Sequence, residues 1–584
     1  VTLRSLRRLS PDQDSRRYAH ANAVRQAYDV PGFPRLRYWN YQPCPRHGQL
    51  TPLCPDCGAE FRRHQRVGAT WLWLAKRGLL SDPTGSGKTI TVAGTLAMAL
   101  EAGEAGQPTM ATLGGDSPRR VVIVAGAVLQ WRDELRRLIP GAQVTAATGT
   151  LRQRTAKYLD PWDILVVSPE TLRMRAVRHG GQAVRHGDLE LLREFDIGTL
   201  VYDDVDAMRN HLNKSAYAVN SLAETADRVI GVHATPLQKR VEELWHFTVP
   251  IGGLGVFGPL ALFRHNFVAT TSDFYETRDQ FGQVVVRERQ RDSGVRNGAR
   301  LRSLVAPLVL RRTPAQIDDM EMPALQPSIH WLEPGPEQRQ RYAELRRGVL
   351  RRIREDGEQV THAQAMAQFM HGWQICSGLA TLDGVPSAFE DGANVPHERW
   401  AQQAGVKLGW VVDRLDGDMS EDKVVCFVNF KPNVVMLSRR LTALGIDHVV
   451  MWGNEGSKTE RHERQRRFLY DPACRVLIGT TTIERSFNLQ SARHLIATDT
   501  LINPARMTQL AGRIRRDGSP HHVVYFHQLL LRGTQEAAYP AILQREQAVA
   551  DYVWGEQSDL FEPLSPLDLL RLISGDPNLV AQAS

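Results

Sequence analysis

Two series of short, continuous β-branched runs constrain this chain more than any other feature. The first comprises Val121–Val124, Ile164–Val167, Leu200–Tyr202 and Arg228–Val232. The second comprises Val424–Val428, His448–Met451, Val476–Ile478, His494–Ala497 and Val523–Phe526. Runs that do not alternate polar with apolar suit strands covered on both faces, as in a parallel sheet flanked by helices. Helical stretches lie between the runs, and residues 246–400, richer in helix formers and arginine, separate the two series. The pattern predicts an α/β chain with two tandem parallel sheets and a mostly helical insert between them. With 584 residues, 42% hydrophobic and 23% charged, the chain is too long for one ordinary domain and apolar enough to bury a sizeable core. No apolar run reaches the ~18–20 residues that cross a bilayer, and the N-terminus lacks a secretory apolar core. A soluble, cytoplasmic protein is expected.

A loop that suits phosphate chemistry lies just before the first series. Ser81-Asp-Pro-Thr-Gly-Ser-Gly-Lys-Thr89 follows the apolar Gly78-Leu-Leu80 and precedes a helical stretch, Ile90–Ala102. Thr84, Gly85, Ser86 and Gly87 can bring backbone N–H groups up to a triphosphate, and Lys88 can reach its outer phosphates. Thr89 can hold a magnesium ion. The strict pattern begins with glycine, and Asp82 stands there instead. A second magnesium carboxylate is supplied by Thr199-Leu-Val-Tyr-Asp-Asp-Val-Asp206, a strand run ending in acids. Asp203 suits the metal, and Asp204 can polarise an attacking water. In the second half, Gln509-Leu-Ala-Gly-Arg-Ile-Arg-Arg516 places Arg513 and Arg516 three apart, on one face if the segment is helical. Two guanidinium forks there can stabilise charge on a transferring phosphoryl group, although a solvated basic helix has the same composition.

The charge balance permits a polyanionic partner without identifying one: 72 basic against 64 acidic residues give +8, and only nine of the basic residues are lysine. Cys376, Cys426 and Cys474 lie far apart and read as buried thiols. Cys44-Pro-Arg-His47 and Cys54-Pro-Asp-Cys57, each followed by glycine, have the spacing of a closed tetrahedral zinc shell. A basic segment, residues 1–43, precedes this knuckle with eight arginines, three aspartates and interleaved aromatics. It can grip nucleic acid by phosphate contact and stacking, or pack as an extension on the first sheet.

Taken together, these residues resemble the superfamily-two helicase-like ATPases, and within them the Swi/Snf DNA translocases. Phe61-Arg-Arg-His-Gln65 with Gly68 and Trp71 is similar to the adenine-reading glutamine motif, and Gly78–Thr89 to motif I. Val121–Ala125 with Gln130-Trp-Arg-Asp-Glu134 resembles motif Ia, and Asp163–Leu172 motif Ib. Asp203–Asn210 stands at motif II and His233-Ala-Thr-Pro-Leu-Gln238 at motif III. Val309-Leu-Arg-Arg-Thr313, Gln374-Ile-Cys376, Lys423–Phe430 and Gly453–Phe468 match further family marks in order. Gly479–Ala492 resembles motif V, Asp499–Arg516 motif VI, and Gly533-Thr-Gln-Glu536 the family's closing tetrapeptide.

The resemblance covers roughly residues 60–545. It implies two RecA-like lobes, at 59–245 and 401–550, that bind ATP and magnesium between them. A zinc knuckle at 44–58 precedes the lobes and a tail at 551–584 follows. Gln65 would read adenine, and Lys88, Thr89 and Asp203 would hold phosphate and metal. Arg513 and Arg516 would complete the site, with Thr235 and Gln509 coupling it to movement. Trp131, Thr171, Thr482 and Asn488 become candidates for the track along double-stranded DNA. Three departures stand out. Asp204 replaces a glutamate, Asp206 replaces the histidine of motif II, and Thr480–Ser486 replaces a glycine-rich loop. The reading is a compact bacterial or viral translocase, with a strand-separating helicase and an ATP-switched DNA-binding subunit of a defence or replication complex as alternatives.

Overall fold

The computed structural model describes Trp39, Ile573 and most of residues 61–540. Outside the described residues lie 1–38, 40–60, 102–119, 174–176, 180–181, 186, 211, 238–239, 279–283, 318–321, 357–361, 379–404, 453–455, 485–486, 502–503, 517–518, 541–572 and 574–584. Cys44, His47, Cys54 and Cys57 therefore lie outside the described residues, as do nearly all of the basic extension and the tail. Trp39 is the exception within the extension: it is buried in a core against Phe61, with ring centroids 4.0 Å apart.

The chain divides into two compact units. The first comprises Val1–Phe267, Arg296–Met322 and Arg516–Gly518; the second comprises Val268–Val295, Pro323–Arg515 and Ser519–Ser584. In chain order the strands up to residue 310 are β1 (Arg77–Leu80), β2 (Arg120–Ala125), β3 (Val144–Ala146), β4 (Ile164–Val167), β5 (Val177–His179), β6 (Gln182–Arg185), β7 (Ile197–Asp203), β8 (Arg228–Val232), β9 (Val268–Arg278), β10 (Val284–Val295) and β11 (Val309–Leu310). The first unit's main sheet runs β11-β1-β8-β7-β2-β4-β3, all parallel. Val121–Ala125 and Ile164–Val167 are wholly buried, as unbroken apolar runs predict for a sheet covered on both faces. Each such side chain contributes about 1.5–3 kcal/mol when removed from water.

One register row matters for the chemistry. Leu80 of β1 is paired with Val232 of β8, and Val232 with Asp203 of β7. The chain therefore leaves three adjacent strands at one level, at their carboxyl ends, where open parallel sheets bind ligands.

The second unit adds β12 (Ala324–Leu332), β13 (Val424–Phe427), β14 (His448–Met451), β15 (Val476–Gly479), β16 (His494–Ala497) and β17 (Val523–Leu531). They form a second parallel sheet, ordered β12-β17-β16-β13-β15-β14. Phe427 is paired with both Gly479 and Ala497, so three successive strand ends again share one level. Cys376, Cys426 and Cys474 are free and buried, as expected. The edge strand β12 carries a polar seam. Ser328 Oγ and His330 Nε2 lie 3.0 Å from His527 Nδ1 on β17, and His527 Nε2 lies 3.1 Å from His494 Nδ1 on β16. Burial, then the neighbouring histidines, pulls His527 down to about 4, so its ring is neutral near pH 7.

The expectation of a mostly helical insert needs correction. Residues 246–400 do contain helices, among them Pro336–Asp356 and His362–Cys376. They also contain the long antiparallel hairpin of β9 and β10, the strand β11 that joins the first sheet beside β1, and β12 beside β17. No helix among the described residues is long and apolar enough to cross a membrane.

Candidate nucleotide site

The loop Ser81–Gly87 connects β1 to the helix Lys88–Glu101. Gly85 and Gly87 have φ of 88° and 74°, a conformation that a side chain strains, and a Cβ on Gly87 would lie 2.5 Å from Gln65 Nε2. Gln65 is buried, and its amide braces the loop: Nε2 donates to the Ser86 carbonyl at 3.4 Å, while Oε1 accepts from the Arg62 N–H at 3.1 Å. The helix that carries it, Arg63–Ala75, lies close to β1 because Gly78 leaves room for Trp71; a Cβ there would meet the indole at 2.5 Å.

Lys88 Nζ donates to the carbonyls of Asp82 and Pro83, each at 2.9 Å. Desolvation pulls its pKa down to about 8, against the opposing pull of Asp82 and Asp203. Ser86 Oγ is buried without a hydrogen-bond partner among the described residues. A glycine cradle, an unpartnered hydroxyl and a desolvated cation together fit a phosphate group. Thr84 and Thr89 are half-buried in the same segment.

Asp82, standing where the strict loop pattern has glycine, is buried and paired with Arg312. Its Oδ1 accepts from Arg312 Nε at 3.0 Å, its Oδ2 from Arg312 Nη2, and Arg312 Nη1 also donates to the His64 carbonyl at 2.8 Å. The Leu-Arg-Arg-Thr signature is thus a clamp on the loop and on the glutamine helix. The sequence marked this arginine without showing what it holds.

On β7, Asp203 Oδ2 accepts a 2.7 Å hydrogen bond from Trp131 Nε1. Burial, then the charge of Asp204, raises Asp203 to about 6, and the indole opposes that rise. Trp131 is 3% exposed, so its assignment to the DNA track is corrected: the indole is committed to a carboxylate and has no open face. Thr171 is also buried, its hydroxyl 2.9 Å from Ser168 Oγ at the start of the helix Pro169–Leu172. Asp204 has φ of 51°, and its N–H donates to Val232 O at 2.9 Å. His233 Nε2 lies 3.4 Å from Asp204 Oδ1, a contact the linear sequence did not reveal. Thr235 donates its N–H to His233 Nδ1 at 3.1 Å, and its carbonyl accepts from Arg209 at 2.9 Å. The side chain of Asp206 lies outside the described residues.

In the second unit, the helix Pro504–Ala511 contains the buried Gln509 but ends before either arginine. Arg513 and Arg516 therefore do not share a helix face. Gly512 follows the last helical residue, and the chain leaves in a tight turn with Arg513 N–H donating to Leu510 O at 3.0 Å. Arg513 is buried and Arg516 half-buried. Thr482 lies in the one-turn helix Thr481–Glu484, 3.3 Å from Thr480 Oγ1, and the Asn488 carbonyl accepts from Gln465 at 3.1 Å. Both are partly exposed. Among the described residues, no group of three or more His, Cys, Asp or Glu is poised around a metal position.

Residues 64–380 match the family described as SNF2-related domain, and residues 407–518 match the helicase conserved C-terminal domain. The chain belongs to the SNF2-related family. This SNF2-related chain is 21% identical to an uncharacterised ATP-dependent helicase of Mycoplasma genitalium, over 88% of its own length and 44% of the relative's. It is 23% identical to the ATP-dependent helicase YqhH of Bacillus subtilis over 93% and 86%, respectively. It is also 23% identical to the DNA repair and recombination protein RAD54-like of Gallus gallus, over 89% and 71%. The SWI2/SNF2 ATPase core of Sulfolobus solfataricus matches at 20% identity over 85% of this chain and 94% of that one, with a TM-score of 0.35. The chain spans less than half the length of two of its relatives, 44% of the Mycoplasma genitalium helicase and 47% of an uncharacterised ATP-dependent helicase of Mycoplasma pneumoniae.

Proposed function

We propose that this chain hydrolyses ATP to move along double-stranded DNA. The observation that supports it best is the single register row at which β1, β8 and β7 deliver the phosphate loop, His233 and the pair Asp203–Asp204 to one level. Loop N–H groups and Lys88 hold the triphosphate, and Gln65 turns from the loop to the base. Thr89 and Asp203 would hold magnesium, which would neutralise charge on the outer phosphates. Asp204 aims a water at the γ-phosphorus. The water oxygen adds there, the bond to the bridging oxygen breaks with its electron pair leaving on ADP, and the water's proton departs with the released phosphate. Arg513 and Arg516 supply positive charge as that bond breaks, and Thr235 and Gln509 link the chemistry to lobe movement.

Double-stranded DNA is the partner this reading assigns, on the family motifs and the likeness to a RAD54-like DNA repair and recombination protein. Thr482 and Asn488 are the remaining named track candidates. Contact with phosphates would carry little sequence preference and weaken with salt. Phosphate release should rise about tenfold or more on adding duplex, and far less on adding single strands. Stimulation by single strands alone would move the assignment to a strand-separating helicase. Tight ATP-dependent DNA binding with no release would favour an ATP switch, the reading to which the short, left-handed Asp204 gives some weight.

Cys44, His47, Cys54 and Cys57 are assigned to a structural zinc on their spacing and on the proline and glycine of both knuckles. Freshly purified protein should carry about one zinc per chain by elemental mass spectrometry. A ratio near zero removes the assignment.

A further inference from the structure

We propose that His233 is the positioning residue for Asp204, its Nε2 fixing one carboxylate oxygen so that the other can aim the attacking water. The proposal rests on the hydrolysis reading above.

The shorter hydrogen bond, at Nδ1, favours one tautomer. Thr235 N–H donates to His233 Nδ1 at 3.1 Å, so that nitrogen is an acceptor and the neutral ring carries its proton on Nε2. Nε2 lies 3.4 Å from Asp204 Oδ1, the long reach common in a catalytic site without its substrate. Arg209 Nη2 also lies 3.5 Å from Nε2. It donates to Thr235 O at 2.9 Å, while Nη1 donates to Glu243 at 2.8 Å.

The ring has little freedom. His233 is 1% exposed, its face lies against Phe247 with centroids 4.7 Å apart, and its own N–H donates to Leu80 O at 3.1 Å. That last bond ties the imidazole to the residue from which the phosphate loop departs. Asp204 is set from the other side by its left-handed backbone, which needs support from its surroundings to persist. Donors from two segments divide the adjacent aspartates: Trp131, on the helix Val128–Leu138 after β2, holds Asp203, and His233, just past the end of β8, holds Asp204. A histidine at the head of motif III thus supplies an imidazole to motif II, whose own sequence has aspartate at position 206.

Two substitutions separate positioning from packing. Glutamine places an amide N–H near the imidazole Nε2 and should retain the donor. Asparagine reaches only as far as Nδ1 and loses it. Under duplex-stimulated conditions, His233→Asn should lower kcat by about 10- to 100-fold with KM for ATP within about threefold, and His233→Gln should restore most of kcat. In an Asp204→Asn background, His233→Asn should add little further loss, because the two residues act as one unit. Equal rates in the Asn and Gln variants, or losses that multiply in the double variant, overturn the proposal. So does a parallel fall in melting temperature and ATP affinity, which would make His233 a packing residue. Those outcomes leave wild-type turnover intact, whereas a wild-type protein that binds ATP but releases no phosphate on any DNA removes the hydrolysis reading and this inference with it.

Discussion

Lys88→Ala should abolish measurable DNA-stimulated phosphate release, a loss of about a hundredfold to a thousandfold, while leaving the ligand-free protein as stable as the wild type or more so. Both halves follow from the same desolvation. With no phosphate bound, a charged ammonium is held among the loop's own carbonyls, and burial lowers its pKa to about 8. The sign is that of a base depressed in the folded state. At pH 7 the lysine is charged in both states, so the folded state bears the cost of desolvation. The cost disappears as the pH rises from about 8 towards the ordinary value of 10.5. Alanine removes the cost together with the charge that a triphosphate needs. Melting curves with and without magnesium and ATP provide the check. Ligand should raise the wild-type midpoint and leave that of the variant unmoved. A variant that melts well below wild type without ligand, or one that keeps its turnover, contradicts this account.

The largest stability effect is expected far from the phosphate loop. Lys407 Nζ and Glu536 Oε1 are 2.7 Å apart and almost wholly buried, at 2% and 0% side-chain exposure. The ammonium also donates to Thr498 O at 2.9 Å, and Glu536 Oε2 accepts from the Leu531 N–H at 2.8 Å. Glu536→Ala leaves a buried lysine without its paired carboxylate and should cost about 3–5 kcal/mol. Replacing both partners, as in Lys407→Met with Glu536→Leu, should recover most of that loss, since the pair's attraction roughly offsets its own desolvation. Chemical denaturation followed through the second unit's unfolding measures both. If Glu536→Ala unfolds at the wild-type denaturant concentration, the pair contributes nothing. The family's closing tetrapeptide, Gly533-Thr-Gln-Glu536 in this chain, is on this view a structural brace and not a ligand contact.

The strands that could be read from the sequence are those carried by short, largely apolar runs, most of them buried on both faces. Ile164–Val167, Arg228–Val232, His448–Met451 and His494–Ala497 have the same limits as runs and as strands. Those that could not be read lack that apolar excess. At the sheet edge, β12 exposes Gln326, Pro327 and Ile329 and turns a serine and a histidine to its neighbour; β11 has only two residues. The loop, Lys88 and the aspartate pair were legible because their spacing is local. Trp131 was assigned to the wrong partner because its contact with Asp203 depends on β2 lying beside β7, and strand order is not written in the local pattern. The shared face of Arg513 and Arg516 failed for a local reason: the helix ends at Ala511, before it reaches either arginine.

The clamp on Asp82 also bears on how the protein is made. Asp82 and Arg312 are 230 positions apart in the chain, and β11, which carries the arginine towards the loop, is the last strand to join its sheet. Closure over so long a separation is entropically slow. As the chain emerges from the ribosome, β1, β8 and β7 can all assemble while Asp82 still has no cation to meet it. A nascent chain thus holds every phosphate-binding residue of the first unit before it holds the arginine that fixes their loop, and the nucleotide site matures as one of that unit's final steps.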